Sequence, residues 1–169
     1  MEAHSAAEFD PGPVLEALVR HGVDFVLIGG IAAIVLGSSY STSDLDVAYA
    51  RDRANIERLA EALRELGATL RGAPPGIPFR LDADGLEAGL NFTFTTRRGD
   101  LDVFGEPAGA PAYEELKRRA SVEQIGGVEI RVASIDHLIA MKQAAGREKD
   151  RLLASQLQAL SDALRRRGG

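Results

Sequence analysis

Apolar residues recur along the chain in two rhythms, one typical of helices and one of buried strands. Residues 14–21 carry apolar side chains at positions 14, 15, 18 and 19, which is the spacing of one helix face. Residues 23–28 (VDFVLI) form a continuous apolar run, rich in β-branched and aromatic residues, that ends at a glycine pair. Residues 55–66 return to helical spacing. The first third of the chain therefore predicts helices alternating with buried strands.

The second half of the chain predicts two hairpins followed by helices. Residues 90–96 (LNFTFTT) and 100–105 (DLDVFG) flank a turn that contains glycine, and a second pair of short strands flanks Gly126-Gly127. Ser134 is typical of a helix N-cap, and a last amphipathic helix is expected over residues 148–166. The order of elements predicts an α/β (α+β) fold, a mixed β-sheet flanked by helices.

Length and composition indicate one domain. The chain has 169 residues, of which 45% are apolar and 27% charged, so it can bury a core. We expect a flexible lead-in over residues 1–11 and a single domain over residues 12–169, with the Pro- and Gly-rich residues 72–79 as a loop inside it.

Several classes of protein are excluded by composition. The absence of cysteine excludes disulfide scaffolds, zinc fingers and thiol nucleophiles, and the three histidines show no metal-ligand spacing. No apolar run reaches the roughly 18 residues of a membrane span, so a cytoplasmic location is expected. The net charge of −5 argues against a generally basic nucleic-acid binder but leaves room for a local basic surface.

Three carboxylates are the strongest candidates for chemistry. Side chains alternate along a strand, so Asp44 and Asp46 of the DLDVAY run face the same way. Their charges repel each other unless a cation lies between them. Asp102, in the later DLDVF run, lies within a strand and is the better third ligand, whereas Asp100 borders the turn. Three carboxylates on adjacent strands suit one or two Mg²⁺ ions.

Two further features point to phosphate. Gly29-Gly30 lies at a strand-to-helix junction, where backbone N–H groups can cradle a phosphate. Lys142 continues the apolar stripe of the helix that follows Ser134, which is unusual for a lysine unless it is paired. Its side chain either extends along apolar surface to solvent or, together with Arg147, neutralises phosphate charge.

These motifs together resemble the nucleotidyltransferase superfamily. The resemblance lies in GGIAAIVLGSSYSTSDLDV followed by GDLDVFG, that is, a glycine pair, a spacer, D-x-D and a later single Asp. The segment IDHLIAMKQAAGREKD (residues 135–150) is similar to the late helix of minimal nucleotidyltransferases of the AbiEii/MenT toxin type.

The resemblance implies a reaction and a set of roles. The chain would transfer NMP from an NTP to an acceptor, RNA or a tRNA end in a toxin–antitoxin setting, with an antitoxin protein as partner. Mg²⁺ or Mn²⁺ would be the cofactor. The implied metal and catalytic residues are Asp44, Asp46 and Asp102, with Asp102 taking the proton from the acceptor hydroxyl. The implied phosphate-binding residues are Gly29, Gly30, Thr42, Ser43, Lys142 and Arg147.

Two alternatives stay open on the sequence. The acceptor could instead be a small molecule of the antibiotic type, because the chain has no separate substrate domain. A catalytically degenerate nucleotidyltransferase fold that serves as a binding module is the second. The lack of an arginine in SSYSTS before the D-x-D motif, and Leu153 where the resemblance leads one to expect an Asp, favour it. The three intact carboxylates oppose it.

Overall fold

The computed structural model describes residues 9–168, so most of the predicted lead-in lies outside the described residues. Within them the helices are α1 (Gly12–Arg20), α2 (Gly29–Val35), α3 (Arg53–Glu65), α4 (Ala83–Glu87), α5 (Tyr113–Arg118), α6 (Ile135–Ala145) and α7 (Glu148–Arg167). The strands are β1 (Phe25–Ile28), β2 (Asp44–Tyr49), β3 (Thr69–Leu70), β4 (Asn91–Thr96), β5 (Gly99–Phe104), β6 (Ser121–Ile125) and β7 (Val128–Val132).

The strands form one mixed sheet in the order β3-β4-β5-β2-β1-β7-β6. β2 runs parallel to β5, and β1 runs parallel to β7. The other neighbouring pairs are antiparallel, and they include the two predicted hairpins, β4–β5 and β6–β7. The predicted α/β fold, a mixed sheet with flanking helices in a single domain, is confirmed.

Most side chains of the central strands are buried in the core, but one row on β2 is only partly buried. All four residues of β1 are buried. In β2, Leu45 and Val47 are fully buried, whereas Asp44 and Asp46, which alternate with them, are only partly buried. Helix α2 packs on β1 and β2, and α6 packs against α2. The face of β2 that carries the aspartates is therefore bounded by helices on its β1 side.

Two short elements were not predicted from the sequence. β3 has only two residues, too few for a periodic pattern, and it exists because it pairs with β4. α4 has five residues and begins where the Asp82 side chain accepts a hydrogen bond from the Gly85 backbone at 2.8 Å. β3 matters for the site, because the residue that follows it is Arg71.

The turn between α6 and α7 sets the direction of the last helix. Ser134 caps α6, as expected, by accepting a hydrogen bond from the His137 backbone at 3.2 Å. Gly146 ends α6 in the left-handed conformation, with φ +72°. α7 begins at once, with Arg147 as its N-cap residue. This corner lies directly beside the candidate site.

Candidate active site

Parallel pairing of β2 with β5 brings two D-L-D-V segments side by side. Asp44 lies opposite Asp100, and Asp46 lies opposite Asp102. Because side chains alternate along a strand, all four carboxylates lie on the same face of the sheet. The structure thus brings together the three carboxylates that the sequence singled out. Asp100 lies in the same row of the sheet, but it is 35% exposed and lies outside the lining of the pocket they share.

Asp46 and Asp102 form the inner pair of this group. Burial and the neighbouring Asp102 charge raise the pKa of Asp46 to about 7. Burial also raises the pKa of Asp102, although the hydrogen bond and charge of Arg71 act in the opposite direction. The two residues lie opposite each other where β2 pairs with β5, so each carboxyl group affects the titration of the other. Two facing carboxylates mark a position that a cation would favour.

The glycine pair makes room for this arrangement. Gly29 has φ +74°, and a Cβ atom on it would lie 2.1 Å from Oδ2 of Asp46. A Cβ atom on Gly30 would lie 2.8 Å from the Tyr40 ring and 2.9 Å from the methyl group of Thr42. Any larger residue at position 29 would displace the Asp46 carboxylate, so the glycines are required by close packing at the site.

These residues line one pocket of about 420 Å³. Its walls come from the α2 turn, from the loop before β2, from β2, β4 and β5, and from the α6–α7 corner. The residues that line it include glycines, carboxylates, cations and a few apolar side chains: Gly29, Gly30, Tyr40, Thr42, Asp44, Asp46, Arg71, Thr93, Asp102, Phe104, Leu138, Met141, Lys142, Arg147 and Lys149. Every site residue predicted from the sequence lines this pocket except Ser43, which is exposed beside it.

The basic wall of the pocket is held by a buried carboxylate. Asp150 is 1% exposed and contacts Lys142 Nζ at 3.4 Å and Arg147 Nε at 2.7 Å. Burial alone would raise the pKa of Asp150, but the hydrogen bond from Arg147 and the charge of Lys142 outweigh it, so the pKa lies below its usual value. Lys142 is 17% exposed and lines the pocket, and Arg147 is 63% exposed at its mouth. Asp150 therefore holds the side chains of Lys142 and Arg147 beside the pocket.

Arg71 is the site residue that sequence reasoning missed. Its Nη2 atom donates to Asp102 at 2.8 Å, and its Nη1 atom lies 3.4 Å from Asp100. The backbone N–H of Arg71 donates to Thr93, and Nη1 donates to the carbonyl of Phe94. No sequence signal could have found it, because it belongs to no motif and depends on the two-residue strand β3.

The donor set can be tested against a divalent metal ion. Within residues 9–168, no three His, Cys, Asp or Glu side chains form a ready-made cage for a metal ion. Mg²⁺ in proteins is commonly bound by one or two carboxylates together with substrate phosphates and water. Asp46 and Asp102, which lie opposite each other on β2 and β5, fit that pattern together with Asp44 on β2. The site suits a metal ion that arrives with a phosphate substrate.

Several solved structures share this fold. The chain is similar to the lincosamide antibiotic adenylyltransferase LnuA in its lincomycin-bound form (14% identity, TM-score 0.58, covering 88% of this chain and 94% of that one). It is similar to the antibiotic-resistance factor ANT(2″)-Ia (16% identity, TM-score 0.52, 91% and 88% coverage). A proposed nucleotidyltransferase from Thermotoga maritima gives 14% identity, a TM-score of 0.53, and 92% and 99% coverage. At these identities the likeness shows the fold.

The family follows from the sequence. No curated protein sequence is significantly similar to the chain. The family model described as nucleotidyl transferase AbiEii toxin, type IV toxin–antitoxin system, matches residues 14–154, and the chain belongs to this family. It is therefore an enzyme of the nucleotidyltransferase class, which confirms the resemblance drawn from its motifs. No helix within residues 9–168 is long and apolar enough to cross a membrane.

Proposed function

We propose that this nucleotidyltransferase transfers NMP from an NTP to RNA, a tRNA end in particular, in a reaction that depends on Mg²⁺ or Mn²⁺. The observation that carries the proposal is one pocket in which the paired carboxylates Asp46 and Asp102 face the cations Lys142 and Arg147. Acidic groups suit a metal ion, and the cations suit a triphosphate.

The nucleotide is assigned to the wall that carries the glycines and the basic corner. Lys142 and Arg147 neutralise phosphate charge, held in place by Asp150. Gly29 and Gly30 line the same pocket, and their backbone N–H groups are the proposed phosphate contacts. Thr42 adds a hydroxyl in the pocket wall. Ser43 is exposed, so its proposed contact is made by the backbone.

The transfer step is an in-line displacement at the α-phosphorus. Asp102 takes the proton of the acceptor hydroxyl, and the hydroxyl oxygen forms a bond to the α-phosphorus. The bond from the α-phosphorus to the bridging oxygen breaks, and pyrophosphate leaves with the electron pair. A metal ion held by Asp44, Asp46 and Asp102 would supply charge neutralisation at the phosphates. In such reactions, most of the rate enhancement comes from positioning the two reactants and from neutralising the charge on the phosphates.

The family supports a toxin–antitoxin setting. In that setting the acceptor is a cellular RNA whose labelling stops its use, and an antitoxin protein is the expected partner. A small-molecule acceptor is the second candidate, because LnuA, with the same fold, is described with bound lincomycin. A degenerate binding module is disfavoured by the complete set of carboxylates and cations in the pocket. Leu153, at the position where the family resemblance leads one to expect an Asp, is a buried core residue, 1% exposed.

The test offers every acceptor class at once. The protein is incubated with each labelled NTP and Mg²⁺, with total RNA, purified tRNA, a lincosamide or an aminoglycoside, and the products are separated on gels and thin-layer plates. We expect label on RNA, metal dependence, and no transfer by Asp46→Asn. The matched control, Asp84→Asn, removes an exposed carboxylate outside the pocket and should stay active. Label on an antibiotic alone, or no label with any acceptor, would contradict the proposal.

A further inference from the structure

Arg71 places a cation beside the carboxylates, on the opposite side from Lys142 and Arg147, to which the triphosphate is assigned. In the sheet, β5 and β2 lie at the centre, β4 and β3 on one side, and β1 on the other. Arg71 contacts Asp102 from the β3 side of the sheet. Lys142 and Arg147 lie at the corner between α6 and α7, and α6 packs against α2, which covers β1 and β2. The pocket is therefore basic at both ends with acids between them.

We infer that Arg71 contacts the phosphate that neighbours the attacking hydroxyl and so selects an RNA acceptor over a cationic small molecule. This inference rests on the proposed function, which assigns the triphosphate to Lys142 and Arg147. A hydroxyl that gives its proton to Asp102 lies within about 3 Å of that carboxylate. The guanidinium of Arg71 lies 2.8 Å from the same carboxylate. The acceptor group next to the hydroxyl therefore meets Arg71.

The charge of the pocket fits an anionic acceptor. All three carboxylates that line it are assigned to the metal ion, so none is left to hold the ammonium groups of an amino sugar. Arg71 would repel such a ligand, whereas its planar fork can bind a phosphate diester through two parallel hydrogen bonds. At the 3′ end of RNA, the terminal phosphate lies one sugar ring away from the hydroxyl. Asp100, 3.4 Å from Nη1 of Arg71, lies outside the pocket lining and is a second ion-pair partner of the guanidinium.

Arg71 is already positioned for this contact. The guanidinium donates hydrogen bonds to Phe94 and Asp102, which fix the side chain, and 31% of that side chain stays exposed. A fixed arginine loses little side-chain entropy when it binds.

The sheet beside Arg71 gives an extended acceptor a path out of the pocket. Asn91, Thr93 and Thr95 of β4 are exposed, and their register places them on the face that carries Asp100 and Asp102. These side chains are polar and uncharged. They add no negative charge that would repel an RNA strand lying along β4 with its end at Asp102.

The first test is direct RNA binding. A short fluorescent single-stranded RNA with a free 3′-hydroxyl is titrated with wild-type protein and Arg71→Gln in Mg²⁺, at several salt concentrations. We expect Arg71→Gln to weaken RNA binding about 10-fold and to lower the salt slope by about one. Arg119→Gln removes the same charge at the exposed end of α5, and it should bind as the wild type does. Arg71→Lys should keep the salt slope. Unchanged RNA affinity in Arg71→Gln overturns the inference.

A second measurement uses the unaltered protein, so it does not depend on how well the variant folds. Phenylglyoxal modifies accessible arginines, and peptide mass spectrometry follows Arg71. The same RNA should slow modification of Arg71 severalfold, and an aminoglycoside should not. Equal modification with and without RNA overturns the inference.

Kinetics separate a contact from a positioning role and from failure of the proposed function. A KM for RNA that rises by a larger factor than kcat falls supports the contact. A lower kcat with unchanged KM, and a shifted pH profile, shows that Arg71 only positions Asp102 and overturns the inference. A wild-type protein that labels RNA while Arg71→Gln keeps its KM overturns this inference alone. A wild-type protein that neither binds nor labels RNA overturns both.

Discussion

Burial places Asp46 where its negative charge is costly without a cation. Its pKa is raised to about 7, mainly by burial and then by the charge of Asp102. In the unfolded chain the same carboxyl titrates near its ordinary value of about 4. Between these two pH values the folded protein binds more protons than the unfolded chain does. The free energy of unfolding therefore falls as pH rises through this window.

This gives a pH prediction for the metal-free protein. In EDTA, stability should decrease from about pH 4 to about pH 7, by up to about 1.4 kcal/mol per pH unit, because Asp46 loses its proton in a buried site. Asp46→Asn should reduce this slope, since the amide does not titrate, and the slope that remains belongs to Asp102, whose pKa is also raised. Urea unfolding at about pH 5 and about pH 7.5 measures it. Asp150, whose pKa is lowered, acts only in more acidic solution and does not interfere. An equal slope in the variant would show that Asp46 is not the group responsible.

At the scale of elements, the corner between α6 and α7 carries the basic wall of the pocket. Gly146 lets α6 end sharply, and Arg147 begins α7 beside Lys142. Asp150, one turn into α7, bonds to both cations and so couples the two helices to the pocket. The lysine on the apolar stripe of α6 is thus paired, while its amino group still reaches the pocket.

Lys142→Ala tests this corner. NTP binding or transfer should weaken by one to two orders of magnitude, because a charge-assisted contact is worth about 1.5–3 kcal/mol. Asp150 keeps its bond to Arg147, so the melting temperature should fall only slightly. NTP titration and a melting assay measure the two effects, and Arg151→Ala, an exposed charge on α7, is the control. Full activity in Lys142→Ala, or its unfolding, would show that Lys142 serves the fold alone.

At the scale of the whole molecule, a charged pocket is linked to global stability. The chain carries a net charge of −5, yet its pocket gathers Arg71, Lys142, Arg147 and Lys149 around the carboxylates. A ligand that binds only the folded state stabilises it by mass action. Metal binding at the carboxylates should therefore be visible as a change in global unfolding.

Mg²⁺ or Mn²⁺ should raise the melting temperature. At a metal concentration about 100 times Kd the gain is about 2.7 kcal/mol, or roughly 5–10 °C for a domain of this size. Asp46→Asn should lose this response, whereas Asp84→Asn, outside the pocket, should keep it. Differential scanning fluorimetry with EDTA and with added metal measures it. The proposed metal ligand would be wrong if Asp46→Asn responded as the wild type does.

The local sequence was enough to predict most of the elements and the acidic motif. Alternation along DLDVAY puts Asp44 and Asp46 on one face whatever the rest of the chain does, because the pleat of a strand has period two. The hairpins and the Ser134 cap also depend on neighbouring residues, so they were predictable. The family resemblance singled out Lys142 and Arg147 as phosphate-binding candidates, and that role stays a prediction.

Only the tertiary structure decided how these pieces meet. The register that sets Asp46 opposite Asp102 joins strands far apart in the chain, and burial of Leu45 and Val47 against the core selects it. The need for glycine at position 29 follows from the approach of Asp46, which no local pattern reports. Arg71 enters the pocket because a two-residue strand pairs with β4. Contacts between distant segments are fixed by packing, and packing is a property of the folded chain.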